Sequence, residues 1–254
     1  MLFNEDDTKH IMKFKKVKMK ADHLLIPDDP MPPPFKYIRS GFSMCIVGPS
    51  GSGKSNALIQ MIGRNRKNGQ RRSLKNVFHS ITVVSPSLNT LQTNIFNDLP
   101  DIYKHTILNE ETLHTYNDMI QQQKEEYEEG DEPIFNLLIL DDVGNQLRKP
   151  KINELFNVLV ANRRHSNTSI IMCLQYLYQI PPSIRTNLSY LFAYKPKSLQ
   201  EEEKIYEYTK KPKKNMREFF ETFYRNKRDI MLIDMTLNDS SDFIIYRNFN
   251  KITF

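Results

Sequence analysis

Cysteine, glycine and long apolar runs are scarce in this chain of 254 residues, and each scarcity excludes a class of protein. Its two cysteines, Cys45 and Cys173, are too few for a disulfide scaffold or a four-thiolate zinc site. Eight glycines and fourteen prolines exclude collagen-like and low-complexity chains. No apolar run approaches the ~20 residues of a membrane-spanning helix, and the opening MLFNEDDTKH lacks the pattern of a secretory signal. We therefore expect a soluble globular protein of a reducing compartment.

The composition that remains suits one large α/β domain, or one domain with short additions at its ends. The chain is 39% hydrophobic and 26% charged, which supplies a core and argues against disorder. Its net charge is 36 − 30 = +6. The basic residues form three clusters, over 9–20, 64–75 and 210–217, and an acidic cluster, EEYEEGDE, covers 125–132. Any one cluster suits a solvated face, but three together favour a polyanionic partner.

The order of apolar and polar segments divides the chain into three regions. Residues 1–40 form a basic arm that ends in the Pro-rich linker PDDPMPPPF, where prolines forbid helix. Over 41–195, short apolar runs predict strands, and helical stretches separate several of them; the predicted strands are 42–47, 78–86, 135–142, 168–175 and 188–195. Such alternation predicts a mainly parallel sheet flanked by helices. The C-terminal extension, 196–254, has two helical stretches and two strand-like runs, and either continues the sheet or forms a lid.

The segment GPSGSGKS, from Gly48 to Ser55, matches the phosphate-binding loop pattern G-x-x-x-x-G-K-[ST]. Its glycines let backbone amides surround phosphate oxygens, and the helix that follows points its positive end at the same place. We expect Lys54 to reach the β- and γ-phosphates of ATP and Ser55 to bind Mg²⁺. The full predicted nucleotide contact set is Gly48, Pro49, Ser50, Gly51, Ser52, Gly53, Lys54, Ser55 and Asn56.

Two acids and a glutamine end the predicted strands that follow. Asp141 and Asp142 close FNLLILDD at the sheet edge where ligands bind in parallel sheets. Asp141 is the expected Mg²⁺ ligand, through water, and Asp142 the candidate base for the attacking water. One of the two could instead serve only a turn or a helix cap. Gln175 ends the next strand, where its amide could hydrogen-bond a γ-phosphate or the attacking water, or could simply be a polar strand end.

Arginines near these strands could complete the site from a neighbouring subunit. Arg163 and Arg164 lie in ANRRHSN, at a predicted helix end, and Arg185 lies in PPSIRTN. Each is a candidate arginine finger, which stabilises charge in the transition state, or an ordinary surface arginine.

Two short matches to GTPase motifs are weaker. Asp141 to Gly144 fits D-x-x-G, and Asn226 to Asp229 fits the guanine-reading N-K-x-D. The second match precedes an apolar run, whereas the guanine motif should follow a buried strand, so we disfavour a GTPase. Cys45 and Cys173 are expected to be small core residues.

GPSGSGKS, the SPS after the second strand, LLILDD and above all NRRHSNTSIIMCLQYLYQIPPSIRTN resemble the poxvirus-type genome-packaging ATPases. These ATPases occur in large DNA viruses of eukaryotes and in virophages, and they belong to the FtsK–HerA group of DNA-pumping motors. The resemblance covers about 41–195. It departs from the family at Asp142, where the family often has Glu. It implies a RecA-like core, ATP and Mg²⁺ as cofactors, and a homo-oligomeric ring, pentameric or hexameric.

The resemblance further implies that the ring threads double-stranded DNA into a preformed capsid, with capsid components as partners. It also implies a location in the host cytoplasm or viral factory, with association to the virion an option. Two alternatives stay open. One is a helicase or other DNA translocase in replication, and the other is a nucleotide-gated assembly protein in which ATP binding orders a ring.

Overall fold

A computed structural model describes residues 41–62, 66–67, 70–71, 77–88, 96, 99–100, 103–126, 133–209, 212–226, 228–236, 244–247 and 250–252. The predicted arm and linker over 1–40 lie outside the described residues. So do most of the basic cluster over 64–75, the acidic residues over 127–132, and Lys210 and Lys211 of the third basic cluster.

The strands follow the apolar runs of the sequence closely. They are β1 Ser43–Val47, β2 Arg66–Lys67, β3 Gln70–Arg71, β4 Ser80–Val84, β5 Lys104–His105, β6 Asn136–Asp141, β7 Thr168–Leu174, β8 Tyr190–Tyr194, β9 Ile230–Asp234, β10 Ile244–Arg247 and β11 Asn250–Ile252. The five strands predicted within 41–195 are confirmed as β1, β4, β6, β7 and β8. The short strands β2, β3 and β5 carry no apolar run, which explains why periodicity did not predict them.

The helices are α1 Lys54–Ile62, α2 Glu110–Glu125, α3 Gly144–Leu147, α4 Pro150–Asn162, α5 Pro182–Arg185, α6 Leu199–Glu207 and α7 Met216–Phe223. Their starts have local causes. The side chain of Asn109 accepts a hydrogen bond from the amide of Thr112 at the start of α2, and Ser198 does the same for Glu201 in α6. Pro150 begins α4, where its missing N–H costs nothing.

Nine of the described strands form one sheet in the order β11-β10-β9-β8-β1-β7-β6-β4-β5. The six strands from β5 to β8 in this order pair in parallel, while β8, β9, β10 and β11 pair antiparallel. The predicted mainly parallel α/β sheet is therefore confirmed. The C-terminal extension continues the sheet, which decides the alternative that the sequence left open.

Two apolar cores cover the two faces of the sheet. Alternating residues of each strand divide between them, so that Cys45 and Val47 of β1 join one core and Met44 and Ile46 the other. Helices α2, α4, α6 and α7 pack on the first face and α1 on the second. Both cysteines are buried and free, as expected of core residues. Among the described residues, no helix is long and apolar enough to cross a membrane.

Candidate nucleotide-binding site

The loop from Gly48 to Lys54 joins the carboxyl end of the central strand β1 to the start of α1. It is anchored at its beginning, because the amide of Gly48 donates to the carbonyl of Leu174, the last residue of β7 (3.2 Å). Gly48 has no room for a side chain: a Cβ there would lie 2.8 Å from Ser52 Oγ and 2.8 Å from Tyr194 Cβ. Gly53 has a φ of +110°, which only glycine adopts readily.

Lys54 is folded over its own loop. Its Nζ donates to the carbonyl oxygens of Gly48 (2.7 Å) and Pro49 (3.1 Å). Burial lowers the pKa of this ammonium, while the carboxylates of Asp141 and Asp142 raise it. These two carbonyls engage two of the three N–H donors of the ammonium. Ser55 and Asn56, in the first turn of α1, are exposed.

Tyr194, at the end of β8, supports the loop from below. Its hydroxyl donates to the carbonyl of Gly53 (3.1 Å), and its ring lies against Gly48 and Gly53. The sequence interpretation missed this residue, although its position at the end of the strand beside β1 is a signal that could have found it.

The acid pair ends β6, which is separated from β1 by β7 alone. At about 4.8 Å per strand, the two strands lie about 10 Å apart. Asp141 is buried, and the hydroxyl of Ser85, which follows β4, donates to its Oδ2 (3.0 Å). Burial raises the pKa of Asp141, and the hydrogen bond from Ser85 opposes that rise. The sequence interpretation did not place Ser85 in the site, because a contact between residues 56 positions apart leaves no local signal.

Asp142 is exposed, and its burial and backbone conformation differ from those of Asp141. Its backbone has a φ of +54°, in the left-handed region that aspartate tolerates better than most residues. Its amide donates to the carbonyl of Cys173 in β7 (2.9 Å). This turn directs the two adjacent carboxylates into different environments.

Gln175 contacts Asp142 directly. Its Nε2 donates to Oδ1 of Asp142 (3.2 Å). The two residues are 33 positions apart in the chain and meet because β6 and β7 are neighbours that end at the same edge. The structure thus brings together the P-loop, the acid pair and Gln175, as the strand ends predicted.

The three arginines lie in three different settings. Arg163 is buried, and its guanidinium donates to the carbonyl of Val160 (2.8 Å) and to Ser189 Oγ (3.2 Å). Burial and the charge of Arg164 lower the pKa of Arg163 to about 10. A guanidinium held inside its own subunit is not available to a neighbour, so Arg163 is withdrawn as a candidate finger.

Arg164 is exposed and lies against Gly41, at the sheet edge opposite the P-loop. Arg185 is half-buried at the end of α5. Burial raises the pKa of Glu201 in α6, and the positive charge of Arg185 lies close enough to oppose part of that rise. Arg164 lies before the start of β1, whereas the P-loop follows its end, so an action of Arg164 on nucleotide requires a second subunit. Both stay predictions.

The two matches to GTPase motifs have local explanations. The carboxylate of Asp229 accepts hydrogen bonds from the amides of Arg225 and Asn226 (2.9 Å each), so it closes a turn. That turn precedes β9 rather than following a strand. Gly144 begins α3, packed against Gln179. Among the described residues, no group of three or more His, Cys, Asp or Glu side chains could hold a metal by itself.

Comparison with known proteins gives a consistent result. A family model described as "Poxvirus A32 protein" matches residues 35–251. "Uncharacterized protein 075L" of Invertebrate iridescent virus 6 is 27% identical over 155 residues, which are 61% of this chain and 55% of that protein. The match therefore spans about half the length of that relative.

Two solved structures show the same fold. The DNA-packaging ATPase B204 of Sulfolobus Turreted Icosahedral Virus has a TM-score of 0.57 at 15% identity, with 83% of this chain and 98% of that chain covered. The genome packaging NTPase B204 of Sulfolobus turreted icosahedral virus 2, in complex with ATP-gammaS, has a TM-score of 0.52 at 16% identity, with 82% and 96% covered. At these identities the likeness concerns the fold.

Proposed function

The chain belongs to the Poxvirus A32 protein family, and from that premise we propose that it is a genome-packaging ATPase. It hydrolyses ATP at the P-loop and couples turnover to the movement of double-stranded DNA into a viral capsid. The observation that carries the proposal is the hydrogen bond of Gln175 to Asp142 (3.2 Å), on the strand next to the P-loop strand. A glutamine and an exposed carboxylate at that place can hold and activate a water molecule.

The loop fits the phosphates of ATP. Glycine backbone with no Cβ and the amino end of α1 present amide N–H groups to the same place. Ser52 Oγ is buried with no hydrogen-bond partner among the described residues, and such a group gains a partner when a phosphate oxygen binds. Lys54 has one N–H donor left for the β- and γ-phosphates, and the carbonyls it now contacts hold it at the loop.

Mg²⁺ suits the oxygen donors that the site offers. Ser55 provides an exposed hydroxyl, and Asp141 provides a carboxylate whose other oxygen, Oδ1, accepts no hydrogen bond from the described residues and can accept one from a bound water. These two residues would hold the ion, which neutralises charge on the phosphates when bound. The hydrogen bond from Ser85 keeps the Asp141 carboxylate oriented toward that role.

Asp142 takes a proton from the attacking water while the water oxygen bonds to the γ-phosphorus. The bond from the γ-phosphorus to the bridging oxygen breaks, and ADP leaves with that electron pair. Gln175 orients the water and registers whether the γ-phosphate is present. Arg164 lies at the end of β1 opposite its own P-loop. We place Arg164 or Arg185, from the next protomer, on the negative charge that develops during phosphoryl transfer.

Double-stranded DNA, a homo-oligomeric ring and capsid components are the partners of this proposal. The net charge of +6 and the three basic clusters supply phosphate contacts, and these would weaken with salt. Most of the cluster over 64–75 lies outside the described residues, so it enters the proposal through its sequence alone.

Steady-state ATPase with and without double-stranded DNA, at low and moderate salt, tests the proposal. We expect DNA to raise the rate, salt to reduce that rise, and Lys54→Ala to abolish turnover. Lys151→Ala is the matched control, because Lys151 is an exposed lysine on α4 that pairs with Glu110 (3.7 Å). If the protein with Mg²⁺ shows no ATP hydrolysis that depends on Lys54, the proposal that it is an ATPase is wrong.

Asp142→Asn separates the motor from the two alternatives. It should stop a motor while leaving ATP binding intact, whereas a nucleotide-gated assembly protein would still form its ring. A helicase would separate the strands of forked DNA and prefer single strands. Either result, assembly that needs no turnover or strand separation, would replace the packaging proposal.

A further inference from the structure

The five residues after β7 form a turn that carries Gln175 at its start. The 3-10 turn Leu177–Gln179 folds the chain back, and the side chain of Gln179 reaches the turn's own beginning. Its Oε1 accepts hydrogen bonds from the amides of Gln175 and Tyr176, both at 3.1 Å. One side-chain oxygen therefore fixes the backbone of the residue that contacts Asp142.

The same Gln179 side chain packs on the loop that follows Asp142. A Cβ placed on Gly144 would lie 2.6 Å from Cδ and 2.7 Å from Nε2 of Gln179. Only glycine at 144 leaves room for the amide in this position. Gln179 thus touches both segments of the candidate catalytic pair, the turn after Gln175 and the turn after Asp142.

The turn is also fixed from its other side by the C-terminal extension. The amide of Leu177 donates to Oε1 of Glu201 in α6, a carboxylate that is 3% exposed. Three consecutive amides, of residues 175, 176 and 177, are held by two side chains. The carboxylate of Glu201 and the amide of Leu177 are both buried, so a displacement that separates them leaves polar groups without a partner.

We propose that Gln179 is a positioning residue for ATP hydrolysis, which holds Gln175 against Asp142 without touching the nucleotide. The inference rests on the proposed function. Loss of the Gln179 side chain lowers the rate of the chemical step and leaves ATP binding at the P-loop unchanged. The reason is that, among the described residues, Gln179 makes no hydrogen bond with the loop residues 48–55.

Gln179→Met and Gln179→Glu form a matched pair of variants. Methionine keeps the length of the side chain and removes the acceptor, whereas glutamate keeps the acceptor oxygen in the same place. We expect Gln179→Met to lower kcat by roughly 10- to 100-fold, the range for a small misplacement of a catalytic group. KM for ATP should change little, and Gln179→Glu should keep most of kcat. Equal effects of the two variants, or a loss confined to KM, would overturn the proposal.

Gln123→Met controls for the loss of a buried glutamine. Gln123 lies in α2, is 8% exposed and accepts a hydrogen bond from Asn136 (2.8 Å), at the sheet edge away from the P-loop. Gln123→Met should cost stability without changing kcat.

Gly144→Ala gives a second route to the effect of Gln179→Met, because the added methyl group displaces the Gln179 amide. If both variants act through that amide, the double variant should have a kcat little lower than that of Gln179→Met alone.

The position of the turn can be measured even without turnover. The chain contains no tryptophan, so Tyr178→Trp, at a half-exposed position stacked on Tyr176, introduces a single indole into the turn. In this background we expect Gln179→Met, and not Gln179→Glu, to raise quenching of the indole by acrylamide. If the wild-type enzyme is active and Gln179→Met changes neither the quenching nor kcat, the inference about Gln179 is wrong and the proposed function stands. A wild-type protein without ATPase activity overturns the proposed function instead, and the quenching still decides whether Gln179 holds the turn.

Discussion

Two adjacent aspartates at the end of one strand lie in different surroundings, and these surroundings suit the two different roles that we propose for them. Asp141 is buried and hydrogen-bonded to Ser85, whereas Asp142 is exposed in a left-handed turn and contacts Gln175. The first arrangement suits a carboxylate held for a metal ion, and the second suits one that exchanges a proton with water. Neither difference follows from residue type, since both side chains are the same.

Ser85→Ala should weaken the use of Mg²⁺ more than the use of ATP. The variant removes the hydrogen bond that opposes the rise in the pKa of Asp141 and orients its carboxylate. We expect the Mg²⁺ concentration for half-maximal ATPase activity to rise several-fold, with the rate at saturating Mg²⁺ changed less. Ser183→Ala, at an exposed serine in α5, is the control. If the Mg²⁺ dependence is unchanged, Ser85 has no role in orienting Asp141 for the ion.

Glu201 should make stability depend on pH in a way that a glutamine does not. Burial raises the pKa of this carboxyl, and the Leu177 amide and Arg185 oppose that rise only in part. A carboxyl whose pKa is raised on folding contributes stability that is fully present below its unfolded pKa and lost as pH rises through its folded pKa. Each unit of pKa is worth about 1.4 kcal/mol.

Urea unfolding of wild type and Glu201→Gln at pH 7.5 and near pH 5 measures this effect. Glutamine still accepts from the Leu177 amide, so the comparison isolates the charge. Wild type should gain stability relative to Glu201→Gln as the pH falls. Glu203→Gln, on the exposed side of α6, controls for the change in net charge. A difference between wild type and Glu201→Gln that is equal at both pH values would contradict the assignment.

At the scale of elements, the arrangement of the site depends on which strands are neighbours. β7 lies between the P-loop strand β1 and the acid strand β6, so Gln175 emerges between the loop and the carboxylates. The C-terminal extension adds β9 antiparallel to β8, and α6 places Glu201 under the turn after Gln175. The extension is thus part of the support of the site.

Leu232→Ala tests whether β9 belongs to the core. Leu232 is 1% exposed and pairs with Phe192 of β8, whereas Leu199 in α6 is 73% exposed. We expect Leu232→Ala to lower the free energy of unfolding by about 2–5 kcal/mol, and Leu199→Ala to stay within about 0.5 kcal/mol of wild type. Denaturant unfolding measures both. Similar small effects for the two variants would mean that the extension does not pack on the sheet.

At the scale of the whole molecule, the P-loop and Arg164 lie at opposite edges of the sheet. The strand β1 lies between Gly48 and Gly41, where Arg164 packs, and its five residues alone span about 16 Å at 3.3 Å per residue. An exposed arginine so placed can act on nucleotide only in another subunit. This geometry is what a head-to-tail ring uses, since each interface joins two different surfaces.

Mixing two inactive variants tests this arrangement. Arg164→Ala keeps its own acid pair, and Asp142→Asn keeps its arginine. If Arg164 acts between subunits, a mixture contains interfaces with both groups intact, and its ATPase activity should exceed the sum of the separate preparations. Activity no higher than that sum would assign the role to Arg185 or exclude a shared site. Mixing Asp142→Asn with Lys54→Ala is the control, because both lesions lie in the same half of the interface.

The sequence determined what depends on local pattern. Buried strands appear as apolar runs, the phosphate loop as glycines at fixed spacing, and the polar strand ends as Asp141, Asp142 and Gln175. Strand order was not accessible in this way, because pairing joins segments such as Ser80–Val84 and Asn136–Asp141 through contacts that leave no mark in either segment.

Only the tertiary structure decided which side chains meet. It buried Arg163 inside its own subunit while leaving Arg164 exposed, although the two are adjacent and identical. It brought Ser85, Tyr194, Gln179 and Glu201 to the site from four separate segments. Residue type and spacing carry local geometry, whereas burial and partners are properties of the packed chain. This is why the candidate site residues could be predicted from the sequence and the residues that support them could not.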